Sequence, residues 1–323
     1  MGIGPEVIAK ALAAPRTRAE ADFTVIGDTR ALKKAGLDIG LIPVVPVDSA
    51  GLDLDKRGPC ACSGLASFKA VKLALKLLKK GAVRQAVRLS SSALSKVEGR
   101  GLRTFDALVT APVSKEAWQL AGVRHTGHTD LFRDETGLEP LMAFILGPVK
   151  AALVTEHLQI KYISGKIKKE LVIAKAILFY HALKRTGIAR PRIIITALNP
   201  HAGDGGLLGM EEIRVLRPAI EHLRGKGLRV TGPAPTDAAW AAHLKGLSDG
   251  ILCLYHDQAL GPLKILPGAD RAVHWTWGLP FIRTSPAHGT AYDIAGRGKA
   301  DPSGMIEALL FAVRLAMSGD SRQ

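Results

Sequence analysis

Three histidines stand in one kind of local context, each just after a short apolar, β-branched run: His157 in LVTEH, His201 in IIITALNPHAGDGG and His256 in ILCLYHDQ. Neutral imidazole is a ligand for zinc, cobalt and other divalent ions, and three such ligands leave coordination positions open for a substrate. Asp204 and Asp257 follow His201 and His256 closely. Carboxylates so placed can orient a ligand from outside or take up a proton. The separations match no short ligand motif. Spacing alone therefore leaves two readings, ordinary loop histidines or a site that the fold assembles.

A second set of residues suits an anion. GHTD (Gly127 to Asp130) puts His128 and Thr129 behind a glycine at the start of a helix-like stretch. Lys264 and Arg283 lie farther along, the latter inside the apolar GLPFIRTS. A phosphate or carboxylate calls for such cations together with hydroxyl and N–H donors; surface ion pairing is the competing use. The run HAGDGGLLG misses the GxGxxG spacing, and no GxxxxGK[ST] occurs. No GxSxG elbow points to a serine nucleophile.

The elements that must position these groups alternate along the chain. Phe23 to Ile26, Ala107 to Thr110, Ala151 to Thr155, Arg192 to Leu198 and Gly250 to Leu254 read as short buried strands. Gly165 to Arg185, Met210 to Arg224 and FKAVKLALKLLKKG read as amphipathic helices. That alternation predicts an α/β fold with a mostly parallel sheet and helices on both faces. Ligands of open α/β sheets gather beyond the carboxyl ends of the strands, where all three histidines fall. No repeat and no Ser/Gly/Pro-rich linker divides the chain, so residues 1–323 read as one two-lobed unit. The stretch from Ala82 to Phe105, with its serine cluster and Gly-Arg-Gly, breaks the alternation and reads as a surface excursion.

Composition narrows the function classes. Across 323 residues, 47% are apolar and 23% charged, which excludes wholesale disorder. No apolar run approaches the roughly 20 residues that span a bilayer; Leu141 to Val154 is broken by Gly147, Pro148 and Lys150. The opening MGIGPEVIAK lacks the apolar core of a secretory signal, so no membrane association is expected. Three cysteines (Cys60, Cys62 and Cys253) make no disulfide framework, which predicts a reducing cytoplasm. Lys and Arg outnumber Asp and Glu 44 to 29, a net +15, which raises nucleic acid as a partner. The lysines, however, lie along helix faces, and aromatics are only 5%, so stacking platforms are missing. An anionic small substrate fits this surface better than nucleic acid.

IGPEVIAKAL, VTAPVSKEAW, GHTD, VTEH, NPHAGDGG, YHDQ, GLPFIRTS and HGTAYDIAGRGKAD occur in the order found in the 4-hydroxythreonine-4-phosphate dehydrogenase family of pyridoxal phosphate synthesis. The resemblance runs nearly end to end. It implies a fold similar to the isocitrate and isopropylmalate dehydrogenases, a homodimer with a shared active site at the interlobe cleft, and NAD or NADP held without the usual fingerprint. It implies His157, His201 and His256 as ligands of a divalent ion (zinc, magnesium or cobalt), with His256 coming from the partner subunit. His128, Thr129, Lys264 and Arg283 match the substrate contacts. His274 stands where the family usually has Asn as a further substrate contact. The implied reaction oxidises 4-phosphohydroxy-L-threonine to a 3-oxo acid, with Asp237 or Asp257 as base, and decarboxylation gives 3-amino-2-oxopropyl phosphate.

Other departures carry expectations. The family begins with a strand and Gly-Asp-Pro-Ala before IGPE, so this chain is expected to lack a first strand and to show an unpaired sheet edge. The connection before DALVTAP is longer than usual. The family's Pro-Ala-Asp-Thr is here Pro235-Thr236-Asp237-Ala238. With His274 in place of Asn, a sister dehydrogenase acting on 4-phosphothreonate or a cis-dihydrodiol carboxylate is the nearest rival. A basic nucleic-acid-binding protein is a remote one.

Overall fold

The chain divides into two units, Met1–Leu138 with Leu279–Gln323 and Glu139–Gly278, in the computed structural model, which describes residues 1–82 and 105–318. The excursion predicted from Ala82 to Phe105 lies, apart from its two end residues, outside the described residues. In chain order the first part runs α1 (Gly4–Ala13), α2 (Pro15–Arg18), β1 (Val25–Gly27), α3 (Thr29–Lys34), β2 (Val44–Pro46), α4 (Ala61–Ala82), β3 (Ala107–Val109), α5 (Lys115–Leu120) and α6 (His128–Thr136). The second unit runs β4 (Leu141–Leu146), β5 (Val149–Leu153), α7 (Ile160–Lys166), α8 (Lys169–Arg185), β6 (Arg192–Thr196), a 3-10 stretch (Pro200–Gly206), a π turn (Glu212–Leu216), α9 (Arg217–Gly225), β7 (Arg229–Ala234), α10 (Thr236–Leu244), β8 (Gly250–Cys253), α11 (His256–Ile265) and β9 (Val273–Trp277). β10 (Ile282–Pro286) and α12 (Ser303–Met317) return the chain to the first unit.

In the first unit, Asp28 and Ser114 start α3 and α5. Each side chain accepts the backbone N–H three residues on, at 2.9 and 3.1 Å, which satisfies a donor the helix cannot use. The lysine-rich run forms α4 as its spacing predicts. Val71, Leu75 and Leu78 are buried with Trp118, Phe132 and Phe281, while Lys69 and Lys79 face outward to Asp48 (2.8 Å) and Glu135 (2.9 Å). Among the described residues β1 pairs only with β2, and β3 pairs with β10, both in parallel. Side chains of a strand alternate between faces, yet every residue from Phe23 to Asp28 and from Phe105 to Ser114 lines one cavity of about 910 Å3. The strand edges, rather than their faces, therefore look into it. Among the described residues neither β1 nor β3 has a second strand neighbour.

The second unit holds a six-stranded run in the order β9-β4-β5-β8-β6-β7. β5, β8, β6 and β7 are parallel in sequence of adjacency, whereas β4 is antiparallel to both its neighbours. The apolar run from Leu141 to Val154 becomes a hairpin because Gly147 takes φ +54 and Leu146 faces Val149 across a two-residue loop. β4 and β8 are buried nearly throughout, as strands covered on both faces must be. Among the described residues no helix is long and apolar enough to cross a membrane, and Cys60, Cys62 and Cys253 are free thiols.

Candidate functional site

Within the second unit, adjacency of β5 and β8 carries two of the predicted ligands to one place. Beyond the strand ends, Val154 N–H donates to Cys253 O (2.8 Å) and Thr155 N–H to Leu254 O (3.1 Å). The Thr155 hydroxyl donates to the same Leu254 oxygen at 2.7 Å. The pinned segments end in His157 and His256, whose ring centroids are 5.3 Å apart with planes tilted by 40°. Two rings sharing one tetrahedral ion at Zn–N distances of about 2.0–2.1 Å would have centroids roughly 5 Å apart, so the pair fits a common divalent ion. His256 Nδ1 lies 2.7 Å from Asp257 Oδ1, the carboxylate–histidine arrangement that fixes a tautomer and directs Nε2 to a ligand. The adjacency is reached within one chain, whereas the family resemblance would draw His256 from a partner subunit.

His201 is not brought to that pair. Among the described residues, no group of three His, Cys, Asp or Glu is placed to hold a metal ion. His201 heads a left-handed run, with φ of 51°, 55°, 79°, 42° and 66° from His201 through Gly205. Such a run is costly for side chains with a Cβ and persists only where surroundings fix it. The fixing groups are Glu212, which is fully buried, and Asn199. Glu212 Oε1 accepts the backbone N–H groups of Leu198 and Asn199, both at 2.8 Å, and Oε2 accepts from Asn199 Nδ2 at 2.9 Å. A Cβ on Gly203 would stand 2.7 Å from Glu212 Oε2, so this position requires glycine twice over. Asp204 and Asp237 are exposed, the latter in the first turn of α10. Lys264 is exposed in the last turn of α11. His274, on β9, stacks on Phe144 with centroids 5.2 Å apart.

Within the first unit, His128 begins α6 and stacks on Phe132 (5.9 Å), with Trp118 edge-on at 5.7 Å. Thr129 follows it in the same turn, partly exposed. Arg283 on β10 is 2% exposed; its guanidinium lies 5.4 Å from the Phe132 ring centre, and Nη2 donates to Thr110 Oγ1 at 2.7 Å. Burial lowers the Arg283 pKa to about 9, so it remains a cation at neutral pH. Burial, and then the charge of Arg283, hold the His128 pKa well below the usual imidazole value. His128 Nε2 is enclosed with no hydrogen-bond partner among the described residues. A neutral imidazole with a spare ring nitrogen beside a buried guanidinium is an arrangement that an anion completes.

The His128 shift has a consequence for stability. The folded pKa lies below the unfolded value, so the unfolded chain binds more protons as pH falls through about 6.5, and stability drops toward acid. His128→Gln should flatten the decline in unfolding midpoint between pH 7 and pH 5. Superimposable acid limbs for the two proteins would contradict the burial argument.

Sequence reasoning missed Glu212, Asn199, Thr110 and Gln258. Gln258, Asn199 and Thr110 left a trace as letters of YHDQ, NPHAGDGG and VTAPVSKEAW; Glu212 left none.

Comparison with known proteins converges on one family. The family described as pyridoxal phosphate biosynthetic protein PdxA matches residues 6–312. A 4-hydroxythreonine-4-phosphate dehydrogenase of Geobacter metallireducens is 34% identical over 336 aligned positions, covering 98% of this chain and 92% of that protein. The crystal structure of the enzyme of that name from Klebsiella pneumoniae superposes with a TM-score of 0.78 at 32% identity, covering 98% of this chain and 95% of the other. A terephthalate 1,2-cis-dihydrodiol dehydrogenase from Burkholderia xenovorans superposes with a TM-score of 0.61 at 25% identity, covering 97% and 94%.

Proposed function

This chain belongs to the family of the pyridoxal phosphate biosynthetic protein PdxA, and from that premise we propose that it oxidises 4-phosphohydroxy-L-threonine with NAD or NADP and a divalent ion. The product is a 3-oxo acid that loses CO2 to give 3-amino-2-oxopropyl phosphate, a step in pyridoxal phosphate synthesis. The observation that carries the metal dependence is the His157–His256 pair at 5.3 Å. When bound, a divalent ion lowers the pKa of a neighbouring hydroxyl and the nicotinamide accepts hydride.

The chain's own residues do the rest. His157 and His256 hold the ion, with Asp257 keeping His256 in one orientation. Because the Asp257 carboxylate is engaged on that ring, Asp237 is the better base for the hydroxyl proton. We place His201 as the third ligand, donated within a homodimer, since its own chain sets it apart from the other two. Arg283, neutral His128 and Thr129 hold anionic groups of the substrate, and Lys264 and His274 are further contacts.

Exhaustive chelation should abolish NAD(P) reduction, and a divalent ion should restore it. Full activity after chelation would remove the metal from the mechanism. His274 and the similarity to a dihydrodiol dehydrogenase favour one second reading, a sister substrate. Turnover of 4-phosphothreonate or a cis-dihydrodiol carboxylate faster than 4-phosphohydroxythreonine would establish it.

A further inference from the structure

Gln258 occupies an unusual position in the second unit. It is 6% exposed, and a side-chain amide has two donors and two acceptor lone pairs. All four are used. Oε1 accepts the Thr196 hydroxyl at 2.8 Å and the Leu254 N–H at 2.9 Å. Nε2 donates to Ala197 O at 2.7 Å and to Thr236 Oγ1 at 3.0 Å. The Leu254 N–H needs an acceptor and the Ala197 carbonyl needs a donor, so the amide has one possible orientation. The backbone oxygen of Gln258 also accepts from Trp240 Nε1 at 2.7 Å, which ties α10 to α11 a second time.

The partners share one feature. Thr196 ends β6 and Ala197 follows it, leading into the clamped loop that carries His201. Leu254 lies just after β8 and leads into His256. Thr236 starts α10 immediately before Asp237. The Leu254 peptide passes the connection on, because its carbonyl accepts from Thr155, two residues before His157. One enclosed amide thus touches, directly or through one peptide, the chain leading to every group proposed to hold the ion or take the proton.

We propose that Gln258 is a positioning residue, setting the spacing of His157, His256, Asp237 and the His201 loop for the reaction. This rests on the metal reading given above. A core amide that served stability alone would have no need of partners confined to the segments leading into these four groups. Buried polar groups that are fully paired define one arrangement; with one partner lost, neighbouring groups are left unsatisfied and the arrangement loosens.

The test compares cobalt(II)-loaded full-length proteins. Gln258→Glu keeps the shape but replaces the donor facing Ala197 O by an oxygen. Thr236→Val removes a single link with little change in volume, and serves if the first variant does not fold. Ile193→Val, in the middle of β6, is the control for a general loss of core packing. Gln258→Glu should bind cobalt about 10- to 100-fold more weakly, the usual cost of disturbing groups behind a ligand. It should also alter the visible cobalt band and lower kcat more than it raises KM. Thr236→Val should move the same readouts the same way by less. Ile193→Val should lower the unfolding midpoint with cobalt affinity and band unchanged.

If the Gln258 and Thr236 variants match Ile193→Val in affinity and spectrum, the positioning role is overturned while the metal reading stands. Retention of cobalt by His157→Ala at parental affinity would overturn the metal reading, and this inference with it.

Discussion

His157→Ala is expected to lose its divalent ion on dialysis and about a thousandfold in kcat, equivalent to roughly 4 kcal/mol of transition-state stabilisation. The expectation follows from geometry. Parallel pairing of β5 with β8 and the Thr155–Leu254 bonds fix the segment before His157 against the one before His256, so deleting one ring leaves a single imidazole from that pair. Metal content and steady-state rate, measured on the same preparation, check it. A variant with parental metal and parental rate sinks the ligand assignment.

Mixing experiments extend the prediction to the dimer. If His201 comes from the partner copy, inactive His157→Ala and inactive His201→Ala chains should complement. In a random two-fold assembly half the dimers are mixed, and each mixed dimer has one intact site of two, so about a quarter of parental activity returns. Return of no activity would place His157 and His201 of a site in one chain.

The second large effect concerns Arg283. Burial brings the folded Arg283 pKa down to about 9 from its higher ordinary value, so the unfolded chain holds more protons between those two values. Stability therefore rises with pH across that window, and burying the cation opposes folding at every pH below it. A bound anion relieves that cost. Inorganic phosphate at pH 7.5 should raise the unfolding midpoint of the parent protein, increasingly with concentration. Arg283→Met should abolish the increment, while its phosphate-free midpoint stays close to the parent's, because an apolar replacement for a buried charge is often neutral or better. Its kcat/KM should fall about 10- to 150-fold, as expected for losing a charge-assisted hydrogen bond worth about 1.5–3 kcal/mol. An equal phosphate effect in both proteins would show that the anion binds elsewhere.

Several elements were legible because local chemistry alone dictates them. The lysine–leucine periodicity of α4 and the apolar runs of β3, β6 and β8 appear at nearly the predicted positions. Others were hidden. β10 was not apparent because its residues, IRTSP, neither alternate cleanly nor form an aliphatic run, whereas β9 carried a strand signal, the alternation of VHWTW, that sequence reasoning missed. The helix expected from Met210 begins as a π turn and continues as α9 only from Arg217. The roles of Glu212 and Gln258 depend on hydrogen bonds to backbone far along the chain, for which residue type leaves no signature.

The sequence by itself determined the donors: imidazoles after apolar strands, a guanidinium in an apolar segment, a histidine opening a helix, and the motif order that marks the family. Only the tertiary structure decided which of them meet. β5 and β8 are neighbours although β6 and β7 come between them in the chain, so His157 reaches His256 and not the nearer His201. Adjacency in a parallel sheet is set by crossover connections and by burial of both faces, and neither is proportional to sequence separation. The same applies to the environment of each group. Enclosure by Trp118, Phe132 and Arg283, which surround it only in the folded chain, is what makes His128 a neutral imidazole rather than a surface cation.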